Sequence, residues 1–469
     1  MKFLVSMMII ILPFVSRAQN ITQNLSTAID KLQADEQFKH AIISMYVVES
    51  RTGKLIYEKN AQIGMAPASC QKVITSTSAF ELLGKNYTYK TLIGYDNIIA
   101  NGKLKGNLFF TGRGDPTLGS WRWSETKPGN ILQKIAASLN KKEIKNIDGS
   151  IYIDDGYFSY QPIPDGWIWQ DIGNYYGAGA WALNWHENQY DLNLKSTNDI
   201  GAATEIISTE PVDLKNNITN LVVSAKKGSG DNVYIYSAPY YDNIFATGTI
   251  PAGENGFTVS GSIPNPPLEF AKTVAAFLKN KQVSFDDKLI TYSGTLKSHT
   301  PVMKATKILD SIVSPPLDSI NYWFLKKSIN LYGEALVKTI AYEKAGFGST
   351  DSGVAIIKDF WSKRGIEKSA LKIIDGSGLS PANRVTTNAL VTVMQFARQQ
   401  NWFSSFYFAL PEMNDIKMKD GYINGVRAYT GYVKSKVGIE YTFSFIVNNF
   451  DGSPGSVREK MWKVLDLLK

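Results

Sequence analysis

Pro67-Ala68-Ser69-Cys70-Gln71-Lys72, continued by Val73-Ile74-Thr75-Ser76-Thr77-Ser78-Ala79-Phe80-Glu81-Leu82-Leu83-Gly84, is the stretch on which the reading of this 469-residue chain turns. Pro67-Ala68 stops the pattern before it, and from Ser69 onward Val73, Phe80, Leu82 and Leu83 run without a breaker to Gly84, as in a buried helix. Ser69 is thereby predicted at a helix N-terminus. Lys72 follows at the three-residue offset that puts two helical side chains on one face, about one turn apart. Such a lysine can take the serine proton once its pKa is lowered, and burial and the positive helix end both push that way. The N–H of Ser69 then offers one oxyanion-hole donor.

The spacing alone does not single out Ser69. Ser-x-x-Lys also begins at Ser124, Ser138, Ser224 and Ser369, and a serine opening a helix is usually just its cap. Upstream, Ala41 to Glu49 and Lys54 to Tyr57 alternate as two strands joined by Arg51-Thr52-Gly53, a hairpin. From about Leu92 to His299 the texture becomes short strands and turns rich in Gly, Asn, Asp and Tyr, with one helical patch at Ile131 to Leu139. Helical texture returns after Ser314-Pro315-Pro316 and runs through Leu331 to Ala345. The chain closes with strands Gly425 to Lys434 and Glu440 to Asn448, then a helix with Val457, Met461, Val464, Leu465 and Leu468 on one face. The hairpin and closing strands read as one sheet flanked by helices, an α/β (α+β) fold with a large β-rich insertion.

The first eighteen residues have the order of a cleaved export signal: Lys2, an apolar run from Phe3 to Val15, then Ser16-Arg17-Ala18. No later segment is long and apolar enough for a stable membrane span, so a periplasmic location is expected. Composition is that of an ordinary globular chain, with 44% hydrophobic residues. The net charge of +8 is a modest excess, and nothing points to nucleic acid. With Cys70 the single cysteine, no internal disulfide forms. His40, His186 and His299 lie far apart and outside any metal spacing, which disfavours a zinc peptidase or a local histidine motif. No metal or cofactor is expected.

A second element is Ser328-Ile329-Asn330, between two helical stretches. Ser-x-Asn recurs at Ser138, Ser196 and Ser319, and its plain reading is a loop that caps the next helix. Ser69-Cys70-Gln71-Lys72, Ser328-Ile329-Asn330 and Thr430-Gly431, however, occur in the order of the penicillin-binding proteins and serine β-lactamases. Thr111-Gly112-Arg113-Gly114-Asp115-Pro116-Thr117-Leu118, Asp375-Gly376-Ser377-Gly378-Leu379-Ser380 and the long gap between Ser69 and Ser328 narrow it. From about Ile42 onward the chain resembles the low-molecular-mass class C penicillin-binding proteins, the D-alanyl-D-alanine carboxypeptidase/endopeptidase family.

That resemblance implies a penicillin-binding transpeptidase/β-lactamase-like domain acting on peptidoglycan stem peptides, with β-lactams as acylating inhibitors. It implies Ser69 as nucleophile, Lys72 as base, Ser328 as proton relay and Asn330 as substrate ligand. Thr430 would contact the substrate carboxylate, beside Gly431, with the N–H of Tyr432 as second oxyanion donor. The third motif departs from the family's Lys-Thr-Gly, since Tyr429 stands where the lysine belongs. Arg427 shares a strand face with Tyr429 and offers a partial replacement. The departure suggests a preference for substrates without a free carboxylate at that point, such as internal cross-links, or a catalytically impaired peptidoglycan-binding homologue. A β-lactamase is disfavoured by the insert. The domains expected are a signal peptide over 1–18, a catalytic domain over 19–95 and 300–469, and inserted β-rich material over 96–299 with a nested subdomain near 187–265. Ser377 reads as a tight turn beside the site, Cys70 as a small buried side chain, and Trp167, Trp169, Tyr175, Tyr176, Trp181 and Trp185 as packing rather than a glycan surface.

Overall fold

The computed structural model describes residues 12–469; residues 1–11, which carry much of the expected export signal, lie outside the described residues. The chain forms two compact units. One holds the N-terminal part up to Glu81 together with Asn321–Ser328 and Val354–Lys469, the other Leu82–Ile320 and Ile329–Gly353. The division falls after Glu81 and not near residue 95, because Lys90–Tyr95 pairs in register with Leu108–Thr111 and so belongs to the insert's sheet.

In the first unit the hairpin forms as β1 (Ile42–Glu49) and β2 (Leu55–Lys59). The closing segment gives β3 (Glu412–Met413), β4 (Ile416–Ile423), β5 (Val426–Lys434) and β6 (Glu440–Asn448). The sheet runs β3-β4-β5-β6-β1-β2, with β1 antiparallel to β6 from Ile42↔Asn448 to Glu49↔Tyr441. Side chains alternate between its faces. Met45, Val47, Met418, Tyr429, Phe443, Phe445 and Val447 form one face of a core with Leu25 and Ile29 of α1 (Leu12–Gln33) and with Val457 and Met461. The last two sit on the helix Pro454–Leu465. The opposite face carries a polar stripe in which hydroxyls pair with one another: Thr430 with Ser444 at 2.9 Å and Ser44 with Thr387 at 2.8 Å. α2 (Lys72–Leu83) is buried along Lys72 to Phe80, and α3 (Thr387–Arg398) is capped by the Thr386 hydroxyl, which accepts from the N–H of Ala389 at 3.1 Å.

The second unit has two cores. A five-stranded sheet orders Leu289–Thr291, Ile151–Asp154, Leu108–Thr111, Lys90–Tyr95 and Lys307–Val313. Phe110, Ile153, Ile135, Phe270 and Val274 pack there, the last three on helices Pro128–Asn140 and Pro266–Asn280. Strands between Gln189 and Ser262 make two three-stranded sheets around Leu192, Leu194, Val222, Ile235, Ala246 and Ile250. Of the aromatic cluster, Trp167, Trp181 and Trp185 are buried, whereas Trp169 and Tyr175 are exposed. Among the described residues no helix is long and apolar enough to cross a membrane.

Candidate active site

Ser69 lies in a 3-10 turn, Ala68–Gln71, that leads directly into α2. Ala68, just before it, takes a left-handed backbone (φ 45°) that a residue with a Cβ adopts only when its surroundings hold it there. Part of that constraint is Gly378, itself left-handed (φ 81°). A Cβ on Gly378 would stand 1.9 Å from the Ala68 carbonyl oxygen, so only glycine fits under the turn.

Lys72 is fully buried, and its Nζ donates to Ser69 Oγ at 2.9 Å and to the Ser377 carbonyl at 2.8 Å. The segment Asp375 to Ser380 fixes this arrangement. Gln71 Nε2 donates to the carbonyl and a carboxylate oxygen of Asp375, and Thr75 Oγ1 donates to the Gly376 carbonyl. Asp375 also receives the N–H groups of Gly378 and Ser380, each at 2.8 Å. Ser377 contributes a carbonyl to the lysine from a tight turn. Cys70 points away and is buried, its Sγ 3.2 Å from the Lys419 carbonyl, and burial pushes the thiol up to about 12, which keeps it protonated.

The residues of the expected third element, Thr430-Gly431, are enclosed by the sheet. Those residues sit on β5, one strand in from the edge. Thr430 is buried and bonded to Ser444. Gly431 backs onto β4 so closely that a Cβ would meet the Lys417 carbonyl at 2.2 Å. Tyr429 is buried in the core on the far face of the sheet, its phenol oxygen accepting from Arg427 Nε at 3.0 Å. Tyr432 is buried too, donating to the Met394 carbonyl at 2.7 Å. The alternation of β5 thus puts Tyr429 in the core.

What lies against Ser69 is β4, which the sequence reading passed over. Its Lys419-Asp420-Gly421 runs along the turn: a Cβ on Gly421 would be 2.6 Å from the Pro67 carbonyl and 3.0 Å from the Ser69 nitrogen. Lys419 is the register partner of Thr430, so it faces the same side of the sheet. Its side chain is 1% exposed and that of Asp420 35%. Nζ donates to both the carbonyl and the carboxylate of Asp420, each at 2.8 Å. Burial raises the Asp420 pKa, but the charges of Lys419 and Arg427 and the hydrogen bond from Lys419 outweigh it and hold the carboxyl below its usual range. One local signal marks this strand, the Asn424-Gly425 turn between two apolar ends, a strong hairpin cue.

Ser328 belongs to the same compact unit, in a left-handed backbone (φ 56°) just past the helix Leu317–Lys326. Asn330 opens the helix Asn330–Ala345 in the other unit, where its Nδ2 donates to the Tyr176 carbonyl at 2.7 Å. Among the described residues no group of three or more His, Cys, Asp or Glu could hold a metal ion.

The chain resembles known proteins over most of its length. The D-Ala-D-Ala carboxypeptidase 3 (S13) family model matches residues 25–413, ending just before β4. The D-alanyl-D-alanine carboxypeptidase of Actinomadura sp. is 26% identical over 459 residues, covering 90% of this chain and 81% of that protein. The Haemophilus influenzae carboxypeptidase DacB is 23% identical, covering 87% and 85%. The crystal structure of penicillin binding protein 4 (dacB) from H. influenzae superposes with a TM-score of 0.77 at 20% identity, over 95% of this chain and 97% of that one. The same protein complexed with a β-lactam gives 0.74 at 19% identity, over 95% and 99%. The mixed α/β fold is thus the penicillin-binding, β-lactamase-like one. The chain is a serine peptidase hydrolase and belongs to the D-Ala-D-Ala carboxypeptidase 3 (S13) family.

Proposed function

We propose that the chain is an exported serine D-Ala-D-Ala carboxypeptidase/endopeptidase that cleaves peptidoglycan stem peptides or cross-links through an acyl-enzyme on Ser69. The observation that carries this is the 2.9 Å approach of a fully buried Lys72 Nζ to Ser69 Oγ. Lys72 takes the hydroxyl proton as Ser69 Oγ attacks the carbonyl carbon between two D-alanines. The amide C–N bond breaks, the leaving amine takes a proton through Ser328, and water then releases the peptidyl group. The role of Asn330 as a substrate ligand rests on its place in the sequence motif.

For the third element we propose Lys419-Asp420-Gly421 in place of Tyr429-Thr430-Gly431. Support comes from register. The N–H of Met418 donates to the Pro411 carbonyl at 3.0 Å, away from β5. Alternation along an antiparallel strand turns the N–H groups of Asp420 and Tyr422 the same way, toward the outer edge beside Ser69. The N–H groups of Ser69 and Tyr422 are then the oxyanion pair. With the phenols of Tyr429 and Tyr432 occupied in packing, neither bears on turnover, and the impaired-homologue reading loses its motive. β-Lactams are proposed as acylating inhibitors, supported by the β-lactam complex of the H. influenzae protein. A periplasmic location is supported by the export-like N-terminus and the wall-enzyme relatives.

Mass spectrometry of the purified protein after incubation with a muropeptide, and separately with benzylpenicillin, tests the assignment. Loss of D-Ala or splitting of a cross-link, with the penicillin adduct on Ser69 and both absent in Ser69→Ala, is the expected result. Turnover that survives Ser69→Ala would refute it.

A further inference from the structure

Asp420 sits on β4 next to the Gly421 that abuts Ser69, where β4 is unpaired on its outer side. Its register partner is Tyr429, so it lies on the other side of the strand from Lys419, yet its carboxylate accepts from the Lys419 ammonium. Its side chain is about one-third exposed, while the Lys419 ammonium it accepts from, at 2.8 Å, is closed off from solvent. The Lys419 ammonium is therefore already engaged by an anion of its own strand. Arg427, on β5, is the other positive group acting on Asp420, and it donates to the Tyr429 phenol oxygen.

Consider a peptide whose scissile carbonyl oxygen sits between the N–H groups of Ser69 and Tyr422. If the residue after the cut is the last, its carboxylate lies about one residue step, roughly 3.8 Å, from the attacked residue. Opposite charge draws it along β4 toward Lys419. There it meets the Asp420 carboxylate and must compete with it for the ammonium, and like charges at such a distance repel. A leaving residue that ends in a carboxamide, or continues as peptide, brings no charge and presents an N–H that Asp420 can accept.

We propose that Asp420 is a specificity-determining residue that selects leaving groups with a neutral amide after the scissile bond and disfavours those ending in a free carboxylate. This rests on the reading of β4 as the third element of a Ser69 acyl-enzyme site. That Asp420 stays ionised, its carboxyl held low despite burial, keeps the discrimination in force at neutral pH.

The test compares kcat/KM of the full chain on an N-acylated D-Ala-D-Ala peptide and on the same peptide ending in a carboxamide. The expected ratio favours the carboxamide by about tenfold or more, the scale of one partly screened charge contact. Asp420→Asn keeps the shape and an acceptor for Lys419, and Asp420→Thr shortens the side chain to a hydroxyl. Each should move the ratio about tenfold toward the free acid, and each should speed Ser69 acylation by benzylpenicillin, which carries a carboxylate. The wild-type ratio tests the idea without any variant, and within one variant the ratio cancels a general loss of folded enzyme. Equal rates on the two peptides in the wild type, or a ratio that both variants leave unchanged, would overturn the role of Asp420 while leaving the Ser69 mechanism standing. No turnover of either peptide and no penicillin adduct would bring down both.

Discussion

Lys419 and Tyr429 are the residues on which the two versions of the third element divide, and they make opposite forecasts. Lys419 is a buried cation on the strand beside Ser69, whereas Tyr429 is a core phenol that accepts from Arg427. Lys419→Met is expected to lower kcat/KM by about a hundredfold or more, the scale of losing one group that stabilises developing charge. Tyr429→Phe should leave kcat/KM within a few fold and cost about 1 kcal/mol of stability, the usual worth of one hydrogen bond. Steady-state kinetics and urea denaturation of the two variants decide between them, and a large kinetic loss in Tyr429→Phe alone would restore the β5 reading. Gly421→Ala belongs with Lys419. Its methyl would press on the Pro67 carbonyl and the Ser69 nitrogen, so the nucleophile's turn must shift, and acylation should fall while the far-ultraviolet circular dichroism holds.

At the scale of elements, the site depends on segments that touch no substrate. α3 packs on the polar face of the sheet through Thr387 and Ser44, and its first turn relies on the Thr386 cap. Thr386→Ala is expected to cost about 1 kcal/mol, seen as a drop of a few degrees in Tm, with little change in KM. An unchanged Tm would mean the first turn of α3 finds another partner. β4 shows why an edge strand escapes a search for apolar alternation. Lys417, Lys419 and Asp420 interrupt the apolar pattern there, and charged residues are common on strands whose outer side is unpaired. In the site proposed here, the same edge offers the N–H of Tyr422 as an oxyanion donor.

For the whole molecule, a charge buried in the second unit bears on stability. Lys338 is fully buried in the second unit, donating to the carbonyls of Gln161 and Ala180 at 2.8 and 2.9 Å. Burial lowers its pKa to about 7, against a smaller opposing pull from Glu334. An unfolded lysine titrates near 10.4, so between that pH and about 7 the unfolded chain holds the extra proton and the folded one does not. Stability therefore rises with pH across this window, and the loss is complete below it. Unfolding of this unit is expected to shift upward from pH 7 to pH 9, by on the order of 2 kcal/mol, and Lys338→Met should flatten the slope. A slope unchanged in the variant would place its origin in another group.

Much of this was legible in the residues themselves. Ser69 with Lys72 three residues on, the hairpin before them and the apolar closing strands are local patterns, because helix and strand periodicity act over a few residues. The long β-rich stretch announced an insertion, although Lys90–Tyr95 joined the insert's sheet through partners that no local signal names. Which of two neighbouring strands lies against Ser69 was decided by tertiary structure alone. Thr430-Gly431 matched a motif by letters, but a motif acts through position, and the sheet put β5 between two strands and left β4 unpaired on its outer side beyond Lys417. The burial of Tyr429, the pairing of Lys419 with Asp420 and the fit of Gly421 under Pro67 all join residues distant in the chain or on facing strands. Sequence determined which side chains this protein has for its chemistry; only the packing of the sheet against the turn at Ser69 determined which of them reach it.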